Sequence, residues 1–371
     1  MSHAATAPGA VTPGAARAWG WVAHLRDGGT TPWVAWTVEA QPSGRVLPGA
    51  QQLELLRRLN LAASARPLAP GLADRVLTAA APGRGKPDLA LVGVAGTGYG
   101  PLPVDPANLP ADELVRVATS VLAEDVVRLG VPRERRGLPR PRPHRHRVAG
   151  DPVLATAARE ALGPRRLGAG PMVVIGAPLD QMLADVWTRR CFERGSGAWL
   201  EWLRFWQQRG QLPPRVDLPA VADRHAGSPG GVTVVLDPTA LPDALGVRRV
   251  PAARRPGADA AELARRIATV VGLLVPPDER ARLMSRTVWP RIPLTSMPPV
   301  SVPDEHREWV TRAAERMTRR LRRAGYPVVG DPAAVAPVLT GQTPAPERPD
   351  AAVLELAVRM LVDEDWTKET R

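Results

Sequence analysis

The segment Pro171–Gln208 constrains the fold of this chain more than any other stretch. An apolar run, Met172–Ile175, meets a Gly-Ala-Pro turn, and a long segment with helical periodicity follows. That segment is interrupted once, at the Gly-Ser-Gly sequence 195–197, and it carries four of the eleven tryptophans. A strand, a tight turn and a helix in this order form the unit from which α/β ligand-binding sheets are built. The segment therefore predicts an α/β fold.

The sequence on either side of this segment differs in character. Before residue 131 the periodic segments are mostly helical, and Pro48–Asn60 and Pro110–Leu129 are the clearest. A short strand is also expected at Leu89–Val94. After residue 147, β-branched runs such as Gly231–Leu236 alternate with helical patterns, which is typical of a parallel sheet flanked by helices. The expected organisation is a disordered leader at 1–18, a mostly helical region at 19–130, a Pro/Arg-rich linker at 131–147, an α/β domain at 148–330, and a linker with a terminal helix at 331–371.

Composition limits the class of protein. No stretch approaches the roughly 20 apolar residues that cross a bilayer, and the N-terminus lacks the layout of a signal peptide. A soluble, cytoplasmic protein is therefore expected. Cys191 is the only cysteine, which excludes an internal disulfide and a cysteine-based metal cluster. His144 and His146 in the linker lack neighbours at metal-ligand spacing, so no metal site is expected.

The net charge of +12 and the pI of about 11.2 suggest nucleic-acid binding. However, Lys86 and Lys368 are the only lysines, and alanine, proline, glycine and arginine are all abundant. That pattern is typical of a GC-rich coding sequence, so part of the arginine excess reflects codon supply. Aromatic residues are scarce among the basic ones, which disfavours base stacking. Nucleic acid is therefore not the expected partner, and a basic nucleic-acid-associated protein using the 131–147 arm is kept as an alternative.

Three loops follow one another in a recognisable order over about 145–250: Gly150–Ala157, then Gly176–Ala184, then His225 with the strand Val232–Leu236 and its Asp-Pro-Thr continuation. In order and spacing this region resembles a P-loop sulfotransferase, a family that transfers sulfate from the nucleotide PAPS. In that family a first strand ends in Gly-x-Pro-Lys-Thr-Gly-Thr-Thr, and a later strand ends in Arg-x-Pro with a serine six residues on. The resemblance implies a P-loop-type parallel sheet and PAPS as the cofactor.

The chain departs from the family pattern where the cofactor would bind. The family's first loop cradles the phosphosulfate with backbone amides, hydroxyls and a lysine. Here Val153 stands at the lysine position, Leu154 at the next hydroxyl and Ala155 at the loop glycine, while Asp151 adds a negative charge.

The second motif departs in the same way. Gly176 and Ala184 stand where an arginine and a serine would hold the 3′-phosphate of the nucleotide. Losing such charge-assisted hydrogen bonds, at about 1.5–3 kcal/mol each, costs several orders of magnitude in affinity. The resemblance therefore implies a degenerate member that has lost PAPS binding and serves as a non-catalytic binding or scaffolding protein.

An alternative is an active sulfotransferase or nucleotide-binding transferase with a rebuilt anion site, which would use PAPS. Thr156 keeps the residue type of the family loop, and Arg159 and Arg189 lie in the two helices that follow the loops. These three are the candidate cofactor-binding residues. His225 is the candidate catalytic residue, because an imidazole can accept a hydroxyl proton near neutral pH.

Three tryptophans form a stripe on the helix that ends Pro171–Gln208. Trp199, Trp202 and Trp206 recur at helical spacing and so share one face. The simplest interpretation is a helix packed on the sheet. If the stripe is exposed, it is instead a surface for a protein partner, because aromatic anchors dominate the energetics of interfaces.

Overall fold

A computed structural model describes residues 12–64, 66–79, 88–94, 103–132, 146–163, 170–338 and 349–368. The helices are α1 Pro13–Arg26, α2 Ala50–Ala63, α3 Leu72–Thr78, α4 Ala111–Leu129, α5 Pro152–Leu162, α6 Leu179–Cys191, α7 Trp199–Gln208, α8 Leu218–Arg224, α9 Leu241–Leu245, α10 Ala258–Leu274, α11 Pro277–Leu283, α12 Trp289–Arg291, α13 Asp304–Arg322, α14 Pro349–Val362 and α15 Glu364–Thr367. The strands are β1 Arg147–Gly150, β2 Met172–Ile175, β3 Val232–Val235 and β4 Val328–Val329. No described helix is long and apolar enough to cross a membrane.

The chain divides into two compact units, each built from more than one stretch of sequence. The first contains the described residues of Met1–Pro132, Arg266–Ile292 and Pro346–Arg371, and the second those of Arg133–Arg265 and Pro293–Ala345. The boundary at 265/266 falls inside α10. This division differs from the linear one expected from sequence, because 266–292 and the terminal helix belong with the N-terminal helices.

The first unit is helical. Helix α14 packs against α4 and α2, and α2 also packs against α1, α3 and α4. The apolar faces that meet there include Leu53 and Leu56 of α2 and Leu114 and Val121 of α4, all fully buried. Amphipathic periodicity is what makes these helices visible in the sequence, since each buries one stripe and exposes the other.

Two expectations for this unit are wrong. Helix α1 begins at Pro13, after the N-cap Thr12, so the predicted disordered leader 1–18 overlaps an ordered helix. A proline in the first turn is well suited to a helix start because its missing N–H has no partner there in any case. The predicted strand Leu89–Val94 is reduced to one bridge between Leu91 and Val104.

The second unit contains a four-stranded parallel sheet with the order β1-β2-β3-β4. The α/β class and the parallel sheet flanked by helices are therefore confirmed. Strand β4 was not expected, since two residues give no periodic pattern. The linker expected at 131–147 falls largely on 133–145, which lie outside the described residues, and its last residue, Arg147, begins β1.

Both faces of this sheet are covered. All four residues of β2 are buried. Val173 and Ile175 belong to a cluster with apolar residues of α5 and α9, and α8 packs against β1, β2 and β3. The continuous apolar run of β2 is what a strand buried on both faces requires. The described strand order has no reversal of the kind that creates a ligand crevice in doubly wound sheets.

Candidate functional site

The carboxyl edge of the sheet, where the parallel strands end, carries aspartates whose side chains cap the helical turns that follow. Three of the four strands are followed by an Asp-Pro pair, at Asp151, Asp237 and Asp331. Each aspartate caps the helical turn that follows, accepting a backbone N–H from two residues further on at 2.9–3.0 Å. These caps consume the amide groups that parallel sheets commonly present to anionic ligands at this edge.

The first of these caps lies in the loop Gly150–Ala157, where the sulfotransferase resemblance would place the phosphosulfate. The side chain of Asp151 is fully buried, and its Oδ1 accepts from Val153 N at 3.0 Å and from Leu154 N at 2.8 Å. Pro152 has no N–H to offer. A buried carboxylate therefore occupies the amides at the start of α5, which are the groups that would contact a bound anion.

The backbone at Gly150, directly before this cap, is packed tightly against strand β2. Gly150 has a φ of +93°, and a Cβ placed there would lie 2.1 Å from the carbonyl oxygen of Ile175. The Asp151 N–H donates to that same oxygen at 2.8 Å. Strands β1 and β2 are thus joined tightly at the point where a phosphate-binding loop would open outward.

A second buried carboxyl, Asp185 of α6, lies against Asp151. The two side chains are within hydrogen-bonding reach of each other, and Arg255 Nε donates to Asp185 Oδ2 at 2.9 Å. Burial, followed by the charge of Asp151, raises the pKa of Asp185 well above its ordinary value. Two carboxylates in contact cannot both be ionised in a buried site. Burial also raises the pKa of Asp151, so one proton shared between the two carboxyls is favoured, and Arg255, which is bonded to Asp185, balances the remaining charge.

The second family loop is filled by apolar side chains. A Cβ on Gly176 would lie 2.5 Å from Leu218 Cδ1 and 2.5 Å from Leu236 Cδ2. Ala184 is buried within α6. Gly176 has no room for an arginine side chain, because tightly packed interiors do not accept added volume without strain.

The structure places the predicted cofactor-binding residues away from these loops' amides. The Thr156 hydroxyl donates back to Pro152 O within α5 at 2.7 Å. Arg159 Nη2 donates to Val148 O at 2.9 Å. Since β1 is the edge strand of the sheet, Arg159 covers part of its open edge, which is a recognised way to protect an edge strand.

Arg159 and Arg189 do come together, however, with a third arginine. Arg189 Nε lies 2.7 Å from Glu193 Oε1, and Arg215 Nη1 lies 3.6 Å from Glu193 Oε2. Partial burial, and then the charges of Arg189 and Arg215, lower the pKa of Arg159. Three guanidinium groups therefore surround one carboxylate.

The predicted catalytic residue His225 lies at the other edge of the sheet from Thr156. It is the C-cap residue of α8, close enough to Arg147 at the start of β1 for the two to interact. Burial, followed by the charges of Arg147 and Arg224, lowers its pKa. The structure thus does not join His225 and Thr156 in one site.

A cleft of about 690 Å³ opens at this amino edge, between the starts of β3 and β4 and the ends of α8 and α13. Its polar lining includes Arg320, which forms ion pairs with Asp217 and Asp223 at 3.1 Å each. Burial, and then the charge of Asp223, raises the pKa of Tyr326. The charges within the cleft are therefore largely paired with one another.

The tryptophan stripe packs inside the second unit. Trp202 is 8% exposed, and Trp199 Nε1 donates to Ser301 O at 2.8 Å. Helix α7 packs against α13, whereas the sheet was the expected neighbour. Of the apolar residues on this helix, Leu200 and Phe205 are the ones left 41% and 45% exposed. The stripe is thus mainly a packing element.

The aspartate–arginine cluster and Arg215 are absent from the residues predicted as sites. Asp151 and Asp185 are 34 positions apart in sequence, and Arg255 lies 70 positions from Asp185. The repeated Asp-Pro after strands was a readable signal for the caps, but nothing in the sequence links the two acids. Comparison of the chain with protein-family models, curated proteins and solved structures gave no match.

Proposed function

We propose that this chain is a non-catalytic binding protein whose second unit retains a sulfotransferase-like succession of strand, turn and helix without PAPS binding. The observation that carries the proposal is the occupation of Val153 N and Leu154 N by the buried Asp151 carboxylate. An incoming phosphosulfate would have to displace a carboxylate that also holds the proton shared with Asp185. Like charges in a buried site repel strongly, so the displaced state is disfavoured.

The second loop supports the same conclusion. The apolar contacts around Gly176 replace the arginine that would neutralise the 3′-phosphate. Without that charge-assisted contact, binding loses about 1.5–3 kcal/mol, which is roughly one to two orders of magnitude in affinity. The Asp151 carboxylate at the first loop and the leucine side chains around Gly176 at the second both support the loss of nucleotide binding.

The experiment is a thermal-shift titration of the full chain with PAPS and with its product nucleotide, up to millimolar concentration. A ligand that binds only the folded state at a hundred times its Kd stabilises by about 2.7 kcal/mol. We expect no shift with either nucleotide. A shift at micromolar nucleotide would overturn the proposal.

If a thermal shift is observed, a matched pair of variants identifies the arginines that bind the nucleotide. If Arg189→Gln reduced the shift and Arg312→Gln did not, the alternative of a transferase with a rebuilt anion site would hold, with Arg159 and Arg189 as its cofactor contacts. Arg312 is a suitable control because it also pairs with a glutamate, Glu308, at 3.1 Å.

A further inference from the structure

The cleft at the amino edge of the sheet lies where β4 is too short to cover the start of β3. The register between the two strands begins at Val234 and Val328, and Val234 N donates to Pro327 O at 2.9 Å. Alternate residues of a strand direct their backbone groups to the same side, so the N–H and C=O of Val232 also point toward the β4 side. The residue opposite that C=O is Pro327, which has no N–H to donate.

Val232 therefore presents one backbone donor and one backbone acceptor to the cleft, which it lines. In the part of the chain that the structure describes, no backbone hydrogen bond joins Val232 to residues 325–327. A polar backbone pair of this kind can exchange two hydrogen bonds with a residue of another molecule that lies antiparallel to it.

Two glycines leave the space beside Val232 accessible. Gly231 directly precedes β3, and Gly325 follows α13, and both line the cleft. A Cβ placed on either glycine would have no atom within 4 Å. Glycine beside a strand often marks a place where a ligand or another backbone approaches closely.

The two arginines of the cleft differ in how their charges are balanced. Arg320 forms ion pairs with Asp217 and Asp223 at 3.1 Å each. Arg323 is exposed at the end of α13, and it forms no ion pair with any residue that the structure describes. One guanidinium is thus available to a ligand, and Asp223 also lines the cleft. A carboxylate, with one negative charge, suits this balance better than a phosphate, with nearly two.

The rest of the cleft wall is mainly aliphatic. It is formed by Pro219, Ala226, Val232, Ala324 and Pro327. An apolar wall with a few polar groups is the usual composition of a ligand site, and the volume of about 690 Å³ lies in the usual range for such sites. An aliphatic group attached to the carboxylate would bury its surface there.

We propose that this cleft binds a terminal amino-acid residue whose amine is acylated, either as the C-terminus of a peptide or as a free N-acyl amino acid. The carboxylate accepts from the guanidinium of Arg323 and from Val232 N–H, and the amide N–H of the bound residue donates to Val232 C=O. An aliphatic side chain packs on the apolar wall. Capture of a terminal carboxylate and main-chain bonding beside a sheet are both recurring modes of peptide recognition.

This inference does not rest on the proposed loss of PAPS binding. The cleft lies at the amino edge of the sheet, whereas Gly150–Ala157 and Gly176–Ala184 lie at the carboxyl edge. A thermal shift with a nucleotide would therefore overturn the proposed function without affecting the cleft.

The test is saturation-transfer difference NMR of the full chain with N-acetyl-leucine and two matched probes. N-acetyl-leucinamide keeps the amide and the side chain but has no charge, and 4-methylpentanoate keeps the carboxylate and the side chain but has no amide. We expect N-acetyl-leucine to bind with a Kd in the millimolar range or tighter. Removing the charge should weaken binding about tenfold or more, and removing the amide N–H about fivefold.

Two variants test the cleft itself. Arg323→Gln should weaken the binding of N-acetyl-leucine about tenfold, because it removes the charge-assisted contact. Ala226→Phe, which adds a ring at an exposed residue of the lining, should weaken it at least as much by filling the cleft.

Each variant has a matched control outside the cleft. Arg312→Gln removes an exposed arginine from the same helix, and Ala252→Phe adds a ring at an exposed alanine of the same unit. Each control should change the Kd less than about twofold, since a distant exposed charge acts only through screened solvent. Circular dichroism and thermal melting confirm that all four variants fold.

Three outcomes overturn the proposal. The first is no saturation transfer from N-acetyl-leucine at tens of millimolar. The second is equal binding of N-acetyl-leucine and N-acetyl-leucinamide by the wild type. The third is binding by Arg323→Gln and Ala226→Phe that equals binding by their controls.

A hexapeptide that ends in leucine distinguishes the two sources of the bound residue. Tighter binding of the hexapeptide than of N-acetyl-leucine supports the proposal with the C-terminus of a peptide as the partner. Equal or weaker binding of the hexapeptide supports it with a free N-acyl amino acid.

Discussion

The two edges of one parallel sheet differ in how their charges are arranged. At the carboxyl edge, Asp151 and Asp185 are buried, Asp151 accepts from two backbone amides, and Arg255 pairs with Asp185. At the amino edge, Glu193 pairs with Arg189 and Arg215 in ion pairs that are more exposed to solvent. Open α/β sheets usually bind ligands at the carboxyl edge, where the strand order reverses. Here the side chain of Asp151 occupies the amides at that edge.

The occupied amides at the carboxyl edge indicate that a strand, a turn and a helix in succession do not by themselves make a binding site. The N-terminus of α5 has the orientation that attracts an anion, and Asp151 supplies that anion from within the chain. Once the amides are taken, the same geometry stabilises the fold instead.

The largest effect is expected from opening the carboxyl edge. Gly150→Ala would put a Cβ into the carbonyl of Ile175 at a residue with φ of +93°. The backbone cannot yield as a flexible side chain would, so we expect a loss of about 3 kcal/mol in the free energy of unfolding. Urea denaturation followed by circular dichroism measures it.

Gly163→Ala is the matched control for that substitution. Gly163 follows α5, has a φ of +67° and has no atom within 4 Å of the added Cβ. It should lose less, about 1–2 kcal/mol, because only its backbone conformation, with φ of +67° and ψ of 163°, is unfavourable for alanine. Equal losses at the two positions would show that the carboxyl edge has room, contrary to the closed arrangement.

A smaller effect, with a pH signature, is expected from Asp185→Asn. In the unfolded chain Asp185 ionises at about pH 3.9, whereas burial and the charge of Asp151 raise its pKa in the folded protein. Between these two values unfolding releases a proton, so the wild type loses stability as pH rises. Asparagine mimics the protonated acid and removes that loss, so the variant should gain on the order of 1 kcal/mol over wild type at pH 8.

Urea denaturation from pH 4.5 to 8 gives this comparison, with Asp243→Asn as the control because Asp243 is exposed in α9. The stability of Asp185→Asn relative to wild type should increase with pH, and that of Asp243→Asn should stay constant. A pH-independent difference for Asp185→Asn would mean that the two acids do not share a proton.

The smallest effect on stability is expected at the amino edge. Arg215 is 58% exposed and its contact with Glu193 is long, at 3.6 Å. Exposed ion pairs contribute little, so Arg215→Gln should change stability by less than about 0.5 kcal/mol at 0.3 M NaCl. At low salt the change should move toward stabilisation, because repulsion from Arg159 is then less screened.

Comparing urea curves at 20 mM and 300 mM NaCl measures this difference. A loss of 2 kcal/mol or more in both salts would mean that Arg215 supports the fold, and the amino edge would then resemble the carboxyl edge. That result would contradict the difference between the two edges, in which the buried carboxyl edge stabilises the fold and Arg215 contributes little.

The sequence predicted the parts of this fold that depend on local pattern. The buried run Met172–Ile175 and the amphipathic helices around it have periods that a reader can count. Strand β4 has two residues, and helix α1 begins with Pro13, Gly14 and two alanines, so neither gives a strong apolar period. The mixing of 266–292 with the N-terminal helices depends on long-range packing, which no local pattern encodes.

The contacts that form the candidate site could be predicted less well from the sequence, because they also depend on long-range packing. The absence of lysine and arginine from the loops could be read at Val153 and Gly176, and it indicated a lost cofactor site. That Asp151 fills the loop amides, and that Asp185 shares its proton, depends on contacts across 34 positions. The alternative of a rebuilt anion site names Arg159 and Arg189 together. Where Arg215 and His225 lie relative to them can be seen only in the fold.

Hydrogen exchange of backbone amides, measured by mass spectrometry, tests most directly whether the carboxyl edge is closed. The full chain is compared alone and with the product nucleotide of PAPS. We expect exchange at 153–157 to be unchanged by the nucleotide, because the Asp151 carboxylate already occupies Val153 N and Leu154 N. Slowed exchange at 153–157 with the nucleotide would contradict the closed carboxyl edge.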